Sequence, residues 1–135
     1  MIEKASLWVS AWLAVAFGAL LAVLEMVRNW GHWQWWPFWV VDYVAAALLL
    51  FGGIAALRHR GTGWLAAGWG FTCALFWGSF FSHSESVREE INMEPDEEQL
   101  TLIIGILFAI TIGGLVATLV GLRPSGDRSC RTSLT

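Results

Sequence analysis

Ionisable side chains set inside apolar stretches are where this chain could do chemistry, because a charge taken into a low-dielectric medium is costly and calls for a partner. Two qualify: Glu25, near the end of the first apolar run, and Asp42, near the start of the second. On a helical wheel Glu25 falls between Gly18 and Ala22, and Asp42 falls with Ala45, Ala46 and Gly53, so both turn toward neighbouring helices. Asp42 suits the first turn of a helix, where the dipole is positive and N–H groups are free. Glu25 sits in a last turn, where the dipole opposes it, and the nearest cation is Arg28, three residues on.

His83 closes the third apolar run at the same depth and Glu85 follows it, while His32 lies in the loop between the first two runs. Glu25, Arg28, Asp42, His83 and Glu85 thus make a candidate ligand-binding layer, flanked by Trp33 and Trp36 of a tryptophan-rich loop. Imidazole and carboxylate together suit zinc, copper or iron, and carboxylates alone suit calcium or magnesium. His32, His83, Glu25 and Asp42 are the weak candidates for such a metal, since no motif fixes their spacing. The plainer alternatives are helix-end carboxylates, interfacial histidines and an aromatic belt.

Other chemistry is argued against. There is no glycine-rich phosphate loop, nucleophile elbow or His-Glu-x-x-His helix, so no motif requires a cofactor and the reading leans away from an enzyme. Cys73 is mid-run and Cys130 is in the polar tail, at no metal spacing. A net charge of -3 gives no case for nucleic acid. Away from the Glu25 layer the apolar runs hold Thr72, Thr111, Thr118 and Cys73 but no charge, which argues against an ion pathway through one chain.

The elements that must position these residues follow from composition. Of 135 residues 56% are hydrophobic and 14% charged, against about 25% charged in a soluble domain. Four apolar runs, 5–27, 39–57, 62–82 and 100–122, are each long enough for a helix to cross a hydrocarbon core of about 30 Å. None alternates apolar with polar residues, which excludes a membrane barrel. The first run exceeds a signal-peptide core and lacks a clear cleavage site, so it reads as a retained helix. The fold expected is all-α: an integral membrane bundle of four transmembrane helices in an up-down arrangement, one domain over 1–135 with a polar tail at 123–135.

Orientation is read from the loops. Arg58, Arg60, Arg123, Arg128 and Arg131 mark one side, and the acidic 85–98 segment, with Arg88 its one cation, marks the other. The positive-inside rule puts the 58–61 loop and both termini in the cytoplasm, with loops 28–38 and 83–99 outside. Trp8, Trp12 and Trp64 suit the inner interface; Trp30, Trp33, Trp35, Trp36 and Trp39 crowd the outer one.

Small residues at i, i+4 make ridges along which helices can approach in lipid. They run Ser6-Ser10-Ala14-Gly18-Ala22, Ala66-Gly70-Ala74-Gly78-Ser82 and Gly105-Ala109-Gly113-Ala117-Gly121. Gly18, Gly70, Gly78, Gly105 and Gly113 are therefore expected at helix contacts, within the chain or with another subunit. The leading functional expectation is a small protein of the lipid bilayer acting through partners, as an accessory or assembly subunit or with itself as a homo-oligomer. The alternative is an outer-facing metal- or small-ligand site on Glu25, Asp42 and His83.

Overall fold

The computed structural model describes residues 2–31, 36–89 and 97–123 and, within them, every side chain but those at 2, 3, 36, 38, 86, 89, 97 and 98. The described residues form four helices and no strand: α1 (Ile2–Asn29), α2 (Trp36–Leu57), α3 (Gly63–Glu89) and α4 (Glu97–Gly121). Pro37 falls in the first turn of α2, where a missing N–H removes no helical bond. At the other end of α2 the chain turns with Arg60 N–H on Ala55 O (2.8 Å) and His59 N–H on Ala56 O (3.0 Å). This paired C-terminal closure needs a left-handed residue, and His59 supplies it at φ +56° in place of the usual glycine.

Three segments, Lys4–Asn29, Trp39–Leu57 and Gln99–Gly121, are long and apolar enough to cross a membrane. α3 has the length, 27 residues, but its glycines, tryptophans and serines make it less hydropathic. It also runs past the expected end at 82 to Glu89, because a helix does not stop where an apolar run does. What α3 gives up toward lipid it recovers inside the protein, where Leu65, Trp69 and Thr72 are fully buried.

The helices pack as a ring: α1 on α2 and α4, α3 on α2 and α4, with only slight contact between α1 and α3 across the middle. Ala11, Ala14 and Phe17 of α1 meet Ala45, Ala46 and Leu49 of α2 and Trp69 and Phe76 of α3 in one core. Leu20, Val23, Phe51, Ile54, Leu102 and Val116 stay exposed on the outside, as lipid-facing side chains do.

The small-residue ridges divide between contacts inside the chain and positions open to its outside. Gly18 does sit at a contact, where an added Cβ would lie 3.0 Å from Ala46 O, and so does Gly105, 3.0 Å from the Phe80 ring. At Gly70, Gly78 and Gly113 such a Cβ would meet nothing within 4 Å among the described residues. The close approaches are instead at Gly52 over Leu65, Gly53 over Ala11 O, Gly68 over Leu48 and Gly114 over Trp69. A one-residue offset turns a helix position by about 100°, so the shift from Gly113 to Gly114 carries the contact from the open side to the packed side.

Candidate functional site

The ends of α1 and α3 and the start of α2 come together around Glu25. Its side chain is only 5% exposed. Its Oε1 accepts a hydrogen bond from Asn29 Nδ2 at 2.6 Å, and the same Nδ2 reaches Glu25 O at 2.9 Å. An amide one turn along the same helix thus partners the carboxyl, beside the Arg28 that the sequence suggests for it. Asp42, half-buried on α2, has its carboxyl within hydrogen-bonding reach of Glu25 and close enough to Arg28 to feel its charge.

Arg28 and Asp42 open together onto a cleft of about 420 Å³ whose other walls are Val41, Leu75, Gly78, Ser79, Ser82 and His83. One guanidinium, one carboxyl, one imidazole and two hydroxyls therefore converge between α1, α2 and α3. The volume falls within the range of small-molecule sites. Glu85 does not join them; it is exposed and lines a separate groove with Phe81, Ser84 and Arg88. His32 and Trp33 lie outside the described residues, as does the Trp36 side chain. Among the described residues no three His, Cys, Asp or Glu side chains gather as a metal-binding set.

Sequence reasoning missed Asn29, Ser79 and Ser82. Asn29 carried a usable signal, standing at i+4 from a buried carboxylate. The two serines did not, since nothing in an apolar run says which side a hydroxyl faces.

A second polar cluster, without charge, lies toward the other end. Ser10 Oγ accepts from Trp69 Nε1 (2.9 Å), bonds Thr118 Oγ1 (2.7 Å) and donates to Gly114 O (3.0 Å). Ser6 Oγ donates to Ala117 O at 2.7 Å. The cluster ties α1, α3 and α4 together through buried groups that answer one another, so its role is to hold the helices.

Comparison with family models, with curated proteins and with solved structures finds no match. Fold and composition define the class: an all-α membrane protein with a polar cleft at one end of its helices.

Proposed function

We propose that the protein crosses the membrane four times and binds a small ligand bearing a positive charge in the cleft between α1, α2 and α3. The crossing of α3 is supported by charge. With it, Lys4, Arg58, Arg60 and Arg123 all fall on one side, which the positive-inside rule makes cytoplasmic, and the acidic segment after α3 falls outside. Without it Arg123 changes sides.

The observation that carries the binding reading is the convergence of Arg28, Asp42 and His83 on one cleft, with Glu25 behind. In this layer two carboxyls, Glu25 and Asp42, lie within hydrogen-bonding reach of each other beside the guanidinium of Arg28; that contact takes one proton between them, which a bound ammonium or similar group would replace. Ser79, Ser82 and His83 offer hydrogen bonds for its neutral parts. A cleft of this volume, without a three-ligand set among the described residues, favours an organic ligand over a bare metal ion.

Native mass spectrometry of gently extracted protein is the test. The wild type is expected to carry an adduct that Asp42→Asn loses. In a double-mutant cycle of thermal stability, Glu25→Gln and Asp42→Asn are each expected to damage, with the pair little worse than either. Identical spectra together with small additive effects would refute the shared site.

A second reading, action through other membrane subunits or a second copy, is supported by the open space beside Gly70 on α3 and Gly113 on α4. Gly70→Leu is then expected to reduce the mass of the detergent-solubilised assembly without lowering its melting temperature. An unchanged mass removes this reading.

A further inference from the structure

We infer that a second groove, on the lipid-facing side of α1 and α2, takes the primary ammonium headgroup of a phospholipid. It has a volume of about 530 Å³ and is lined by Met26, Asn29, Trp30, Gly31, Trp39 and Tyr43. It is distinct from the cleft of Arg28 and Asp42. Asn29 and Tyr43 follow those residues in sequence and are turned about 100° away on their helices, so the groove opens on another side, with Glu25 the one group that both share.

An unanswered acceptor points to the ligand. Asn29 is 7% exposed, and its Oδ1 has no hydrogen-bond partner among the described residues. The amide cannot be turned to cure this, because its Nδ2 is held by two acceptors, Glu25 O and Glu25 Oε1. A flip would set oxygen against oxygen on Glu25. Among the described residues this leaves, on a residue that lines the groove, a buried acceptor for an incoming N–H or O–H to satisfy. Donation of Nδ2 to a carboxylate draws further negative charge onto Oδ1.

The walls select the charge. Trp39 and Tyr43 meet edge to face, 5.9 Å between centroids and 85° between planes, and form one corner. Trp30, next after the end of α1 and 79% exposed, lines the same groove. Aromatic faces around a pocket attract a cation, and the nearby carboxyl of Glu25 repels an anion. A quaternary ammonium would meet the rings but has no N–H for Asn29. A primary ammonium satisfies both.

Depth selects the source. The groove lies where the apolar span of α1 ends at Asn29 and that of α2 begins at Trp39, which is headgroup level. Met26 and Tyr43, nearly one turn deeper than Asn29 and Trp39, lie where the glycerol end of a lipid would rest.

The test uses the full chain in detergent, titrated with phosphatidylethanolamine or phosphatidylcholine of identical acyl chains and read by native mass spectrometry. Half-occupancy is expected at about tenfold lower concentration for the ethanolamine lipid, the effect of one charge-assisted hydrogen bond. Asn29→Leu is expected to erase the preference. Because that change also releases Glu25, Trp30→Leu is the second variant; at so exposed a position it keeps the fold, and loss of one aromatic wall should weaken ethanolamine-lipid binding about threefold. Ser79→Ala, which alters the other cleft away from Glu25, should leave this binding intact. Equal occupancy by the two lipids, or ethanolamine-lipid binding untouched by Trp30→Leu, overturns the inference. So does displacement of the lipid by millimolar free ethanolamine, which would assign the groove to a soluble amine.

Discussion

Gly113 and Gly114 are neighbours in one helix, and changing each to alanine should have opposite effects. A Cβ on Gly114 would lie 2.5 Å from Cζ2 and 2.7 Å from Cδ2 of Trp69, inside van der Waals contact with a rigid fused ring. Trp69 is fully buried and its Nε1 is tied to Ser10, so the ring cannot retreat without giving up that bond. Overpacking of this kind costs about 1–3 kcal/mol. Losing an interhelical hydrogen bond in a membrane protein adds about 0.6 kcal/mol. Both substitutions gain about 1 kcal/mol from the better helix propensity of alanine, a gain that cancels between them. At Gly113 nothing among the described residues lies within 4 Å to oppose it. The two variants should therefore differ by roughly 2–4 kcal/mol, with Gly114→Ala the less stable. For a chain of this size that is a gap of about 10 °C in melting temperature. Thermal unfolding of both proteins in the same detergent reads it directly. Equal melting temperatures, or the reverse order, would show that Trp69 does not pack on Gly114.

Three further outcomes are expected. Ser10→Ala removes the acceptor of Trp69 Nε1 and should lower stability by about 1–3 kcal/mol; a melting temperature equal to the wild type's would mean that the indole finds another partner. His59→Gly relieves a side chain held at φ +56° and should raise stability by about 1 kcal/mol, measured by the same melt, where a fall would indicate that the imidazole makes a contact worth more than the strain. Cysteines introduced at Gly61 and Ser84 should react with an impermeant thiol reagent from opposite faces of sealed vesicles, and reaction from the same face would mean that α3 does not cross.

The sequence is a good guide to where helices lie and a poor one to which way they face. The expected end of the second run at 57 is the end of α2, and the expected start of the third at 62 is one residue from that of α3. Apolar length sets these limits, and length is written in the residues. Facing is not, because lipid is as apolar as the protein interior and leaves no polar stripe to mark the outside. The ridge through Gly70 and Gly78 is legible as small, yet Gly68 beside Leu48 is where α3 meets α2. Charge is the exception. Glu25 and Asp42 are expensive enough in this setting to have only an inward solution, and they do lie beside each other. The role of Asn29 is not singled out, since the wheel ranks i+3 and i+4 neighbours alike and cannot tell that the amide reaches Glu25 Oε1.

The bonds from Ser6 and Ser10 to Ala117, Gly114 and Thr118 join the first helix to the last, over sequence separations of more than a hundred residues. Synthesis runs from α1 toward α4, so the two hydroxyls are made long before their acceptors exist. Carbonyls of their own helix are within reach of such hydroxyls, and Trp69, on α3, finds Ser10 already made. The ring closes only when the fourth helix is released into the membrane. A chain cut before residue 114 lacks the α4 partners of the Ser10 and Ser6 hydroxyls, a chemical difference between it and the closed bundle.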